Sequence, residues 1–141
     1  RIERTSEWLS WRYASEAENE YKWVTAYRNG SLAAAGVWGR QSNAWSEVAD
    51  NRAHLVELLG ADPLALQAVL SAIIKQAQNS GAILLETVSN IEHLCRAFRR
   101  AGFYRHRQAP LIIRGLGETD FDIDILAHEN WRVMGGDLDT F

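Results

Sequence analysis

Few side chains in this sequence are placed to do chemistry. Glu57 interrupts an apolar run, Leu55-Val56-Glu57-Leu58-Leu59. Strand alternation puts it on a face with Leu55 and Leu59, and a carboxylate held among leucines has a raised pKa suited to a general base. Glu57 is therefore the candidate catalytic residue. A water-facing glutamate at a sheet opening would carry the same sequence, so both readings stand. His54 falls on the opposite face by the same alternation, which makes the two a poor catalytic pair. Cys95 lies on the apolar side of a helical pattern, where a small buried hydrophobe is the ordinary role. His93 and Cys95 have no partner at metal-ligand spacing, so no zinc site is expected. The turn Gly135-Gly136-Asp137-Leu138-Asp139 offers carboxylates to a cation, but too few ligands to define a site.

Charge and composition narrow the classes further. The 141 residues carry 15 Lys plus Arg against 18 Asp plus Glu, a net charge of −3, which argues against a general nucleic-acid binder. The charge is unevenly spread. Arg96, Arg99, Arg100, Arg105 and Arg107 cluster with His106, whereas Glu118 to Asp139 holds acids at 118, 120, 122, 124, 129, 137 and 139 against one basic residue, Arg132. This is either a pair of solvated surfaces, an intramolecular pairing, or an anion site gated by the acidic segment. No apolar run approaches the roughly 20 residues of a bilayer-crossing helix, and no secretory signal is visible. A lone cysteine fits a reducing compartment, so a cytoplasmic location is expected. A chain of this length can hold a core without disulfides or metal, and one domain over 1–141 is expected, with an acidic extension at 116–141. It begins at Arg1 without an initiator Met, which leaves open a piece of a longer protein.

The elements that must position these residues can be read in order. Residues 5–14 have helical spacing. Tyr21 to Arg28 alternates with an aromatic face, and Asn29-Gly30 follows, the strongest short-range hairpin signal, with Ser31 to Arg40 as its partner strand. Residues 41–51 are ambiguous. Arg52 to Leu59 reads as a central strand ending at Gly60. Asp62-Pro63 opens a long helix with its apolar stripe at Leu66, Val69, Leu70, Ile73, Ile74 and Ala77, stopped at Gly81. Ala82 to Val88 reads as a second buried strand. Ser89-Asn90-Ile91-Glu92 has capping-box spacing, opening a helix with Ile91, Leu94, Cys95 and Phe98 inward and Gly102 at its end. Residues 103–108 and 111–115 look like further strands. This predicts a mixed α/β sheet, an antiparallel meander followed by β-α-β-α-β, with helices on both faces. Five of six tryptophans fall in the first third; Trp8, Trp11, Trp23 and Trp38 are expected as core or shielding residues, leaving Trp45 and Trp131 as candidates for stacking on a ligand.

That order, with Phe98-Arg99-Arg100-Ala101-Gly102-Phe103 closing a helix, resembles the GNAT acyltransferase fold over about residues 5–115. Trp8-Leu9-Ser10-Trp11-Arg12-Tyr13 and the closing Trp131 to Phe141 are similar to the ends of bacterial GNAT-like proteins linked to polysaccharide or cell-envelope genes. The resemblance implies transfer of an acyl group from acetyl-CoA or another acyl-CoA to an amine. It implies a small-molecule amine or envelope-linked acceptor, leaves room for an oligomer, and places cofactor contacts at Leu58, Leu59, Gly60 and Asn90. Central strands that splay beside Glu57 would leave a slot for pantetheine.

Two departures bear on activity. The family's glycine-rich loop, which seats the pyrophosphate on a helix N-terminus, is replaced by Gly60-Ala61-Asp62-Pro63; Pro63 lacks a donor and the Asp62 carboxylate competes for the rest. Where the family often has a tyrosine to protonate the leaving thiolate, this chain has Phe98, which has no proton to give. The sequence thus supports an acyltransferase-like domain with a degenerate cofactor loop, or alternatively a catalytically inactive GNAT-fold binding or interaction module. A third class, glycan or peptide binding through exposed tryptophans, rests on the aromatic hairpin.

Overall fold

The computed structural model describes residues 4–14, 21–40, 51–105 and 132–137. Helix α1 is Ser6–Ala14, β1 is Lys22–Arg28, β2 is Ser31–Arg40, β3 is Arg52–Gly60, α2 is Pro63–Asn79, β4 is Leu84–Glu86 and α3 is Glu92–Arg100. A single 3-10 turn, Gly135–Asp137, follows near the C-terminal end. The described strands form one mixed sheet in the order β1-β2-β3-β4, antiparallel except for the β3/β4 pair. Asn29 and Gly30 take φ of 51° and 79°, as a type I′ hairpin turn requires.

The two faces of the sheet are covered differently. On one side α2 lays Leu66, Val69, Leu70, Ile73 and Ala77 over Ala34, Trp38, Leu55 and Leu58, and α3 adds Leu94, Ala97 and Phe98 to the same core. Helix α2 can come this close because Gly36 has no side chain: a Cβ there would lie 2.6 Å from Ile73 Cδ1 and 2.9 Å from Val69 Cγ1. On the other side α1 inserts Tyr13 against Val37 and Val56, with Trp8, Leu9 and Tyr21 around it. Tyr13 meets Trp8, Tyr21 and Trp23 edge-on at centroid distances of 6.0, 5.0 and 6.1 Å, the arrangement aromatic quadrupoles favour.

Several local expectations are corrected. The second buried strand shrinks to Leu84–Glu86 and is only partly buried, because its ladder to β3 has three pairs. The Ser89/Glu92 capping box does not form: Ser89 Oγ accepts from the Ile91 amide, Glu92 pairs with Arg96, and Ile91 stands at the helix cap with no side-chain bond. Cys95 is half-buried rather than inward, its Sγ 3.5 Å from the Ser89 carbonyl. Phe103, Tyr104 and Arg105 form no strand; the rest of 103–108, and 111–115, lie outside the described residues. Of the four tryptophans expected as core or shield, Trp38 is buried, but Trp11 is 66% and Trp23 42% exposed. Trp45 and Trp131 lie outside the described residues.

Candidate functional site

Among the described residues Glu57 is the charged residue the fold buries completely, at 0% exposure. Its position follows from a β-bulge. Val37 pairs with Glu57 and Trp38 with Leu55, so Val56 is an extra residue in β3. Leu55 and Leu58 therefore face α2, while Val56 and Glu57 both turn toward α1. Glu57 is thus parted from Leu55, and His54, paired with Gly39 two residues from Val37, lies on the Glu57 side of the sheet and not opposite it. The water-facing reading of Glu57 is excluded by its burial.

Among the described residues, Tyr13, Arg4 and Asp137 gather at Glu57. The Tyr13 hydroxyl donates to Glu57 Oε1 at 3.0 Å. Arg4 donates from Nε to Oε2 at 3.4 Å and from Nη2 to Oε1 at 3.3 Å. Arg4 Nη2 also reaches Asp137 Oδ1 at 2.7 Å, and Asp137 Oδ2 accepts from the Met134 amide at 2.8 Å. One guanidinium thus joins the N-terminal segment, the central strand and the C-terminal turn. Burial raises the Glu57 pKa, opposed by the Arg4 charge and by the bonds from Arg4 and Tyr13. Tyr13 is pushed far up by burial and by the Glu57 charge, so its hydroxyl stays a donor. Burial works against the Arg4 charge, but Asp137 and Glu57 outweigh it and its pKa rises. The cation met by the Gly-Gly-Asp turn is this guanidinium. Among the described residues no group of three or more His, Cys, Asp or Glu could hold a metal ion.

The residues expected at a cofactor lie at the far end of β3. Leu58 is buried under α2, Leu59 is half-buried, and Gly60 takes φ of 138°, where a Cβ would lie 2.8 Å from the Ala33 carbonyl. His93 Nε2 lies 3.2 Å from the Gly60 carbonyl, tying the start of α3 to the strand end. At the start of α2, the Asp62 carboxylate accepts from the Leu64 and Ala65 amides at 2.9 and 3.2 Å and also pairs with Arg28; the Leu66 amide bonds the Asp62 carbonyl. Pro63 has no N–H. Every amide of the first turn is therefore absent or engaged, and a pyrophosphate does not fit this helix start. The Asp62 pKa is lowered, first by Arg28 and then by the Ala65 amide, so a second negative group there meets a standing charge.

The β3/β4 ladder stops at His54 and Glu86, whereas β3 continues to Gly60. Just past the last pair the Thr87 hydroxyl donates to the Leu55 carbonyl at 2.8 Å. Beyond it lies the C-terminal segment: Met134 bridges Ser89 antiparallel, the Asn90 amide donates to the Val133 carbonyl, and Asn90 Oδ1 accepts from the Val133 amide at 2.8 Å. The 3-10 turn packs on β3. Asn90 thus grips the protein's own backbone. Phe98 is a core residue, its ring 5.4 Å from that of Phe103.

No protein-family model matches the chain, and no curated protein matches it. Solved structures do. A mutant of the protein TTHA1254 from Thermus thermophilus superposes with a TM-score of 0.58 at 18% identity, over 82% of this chain and 83% of that one. An aminoglycoside acetyltransferase, meta-AAC0020, from an uncultured soil metagenomic sample, solved with trehalose, gives 0.56 at 10% identity over 83% and 78%. The fold is GNAT-like. Among the described residues no helix is long and apolar enough to cross a membrane.

Sequence reasoning singled out Glu57 but not Arg4 or Tyr13, which the structure places beside it. Arg4 precedes the helical pattern and Tyr13 reads as one more aromatic of α1; neither carries a local signal, since their partner is more than 40 residues away. Asp137 was visible as part of an acidic turn, but its partner was not.

Proposed function

We propose that this GNAT-like domain does not seat acyl-CoA at its own helix start and works as a binding or interaction module within acyl-transfer chemistry. The observation that carries this is the self-capped first turn of α2, where Asp62 and Pro63 leave no amide for a phosphate. The group it would meet is a small-molecule amine, as the acyltransferase resemblance implies, or an envelope-linked acceptor, as the end segments' resemblance implies. Its candidate contact face is the α1 side of β1, where Trp23, although it meets Tyr13, and Tyr27 are exposed. Isothermal titration with acetyl-CoA tests the proposal: no saturable heat is expected up to millimolar ligand. Saturable binding, or turnover of any acyl-CoA with an amine, overturns it.

A second reading is transfer from an acyl-CoA to an amine, with Glu57 as the base and Leu58, Leu59, Gly60 and Asn90 at the cofactor. The raised pKa of a buried Glu57 favours it, as a general base works best poised toward neutral pH. On this reading turnover is present in the native chain and lost in Glu57→Gln. Absence of turnover in the native chain removes it.

A further inference from the structure

A short piece of chain reaches the Glu57 cluster through Asp137 on Arg4 and packs its 3-10 turn on β3. We propose that residues 132–137 are an intramolecular strap, latched by Asp137 on Arg4, that shuts the space between β3 and the Ser89 end of the β4 line and shields the Glu57 carboxylate. The inference goes beyond the self-capped start of α2, which Asp62 closes with or without the strap.

Three observations carry it. The strap lies across the two elements that part company: Met134 bridges Ser89, and Gly135–Asp137 packs on β3. Its attachments are mostly polar and stand at its two ends. Asn90 holds Val133 through two hydrogen bonds at one end, and Asp137 holds Arg4 at the other, with side chains of Asp137 and Arg4 13% and 14% exposed. Only Met134, at 2% exposure, joins the main core from the strap. Among the described residues the segment is held by one apolar anchor and a few polar bonds at its ends, the kind of attachment that opens locally, ahead of global unfolding. Met134 is the segment's share of that core, which α2, α3, β2 and β3 otherwise supply among the described residues. Opening leaves Glu57 with Tyr13 and Arg4 and gives it a route to solvent.

The test uses the full chain and the double variant Asn90→Ala/Asp137→Asn. Hydrogen exchange and labelling of Glu57 by a water-soluble carbodiimide with glycinamide are followed by peptide mapping. Exchange at 132–134 and labelling of Glu57 are expected to rise at least tenfold in the variant, with α2 amides unchanged. In the native chain, low denaturant is expected to leave strap exchange flat while α2 exchange climbs. Unchanged strap exchange and labelling in the variant overturn the latch. Loss of α2 protection in step with the strap, in either protein, makes the segment part of the global core and overturns the strap. Neither result bears on acetyl-CoA binding at α2, so the two proposals fail separately.

Discussion

Glu57 carries a desolvation cost that its partners only partly offset, so its pKa lies above the ordinary value of 4.5. The folded chain therefore holds a proton on Glu57 more tightly than the unfolded chain does. That contribution to stability is fully present below the unfolded pKa and is lost as pH rises through the raised folded value. Glu57→Gln keeps the neutral shape and has nothing to titrate. Thermal unfolding of both proteins from about pH 4 to about pH 8 should show the variant gaining on the native chain as pH rises. Parallel curves would mean that Glu57 ionises as readily folded as unfolded. His54 shows the reverse case: burial, the largest influence, lowers its pKa and favours the neutral ring.

Among the elements, α2 is the best specified, by its Asp62 cap, Pro63 start, apolar stripe and the Gly81 stop at φ of 84°. What the helix needs from outside is the missing side chain of Gly36. Gly36→Val drives two methyls into Val69 and Ile73, and overpacking of this kind costs about 1–3 kcal/mol. Urea unfolding should show the loss as a lower midpoint with an unchanged slope. Asp62→Ala strips the first turn of its cap, and faster amide exchange at Leu64 and Ala65 than at Ile73 is the expected sign. The Ser89 element went otherwise: spacing alone suggested a capping box, but Ser89 is engaged in a turn and a bridge to Met134, and Glu92 is paired with Arg96.

In the molecule as a whole, Arg4 ties residues that are 53 and 133 positions away to one guanidinium. Removing it with Arg4→Met leaves Glu57 buried without its cation, a change that costs about 3–5 kcal/mol for a buried pair. Adding Glu57→Gln removes the stranded charge, so the double variant should be more stable than Arg4→Met alone by chemical denaturation. Additive losses would show that the pair is not coupled. The sequence by itself determined the hairpin, the long capped helix, the order of elements from α1 to α3 and the capping of the α2 start by Asp62. Each of these depends on neighbours within a few residues: Asn29-Gly30 on its own φ angles, and Asp62 on amides two and three positions on. Only the tertiary structure decided which face Glu57 takes, because the Val56 bulge is a misfit between β2 and β3 that neither strand encodes alone. It also decided that Arg4, Tyr13 and Asp137 meet there, since long-range ion pairs and hydrogen bonds are set by packing and leave no local pattern to read.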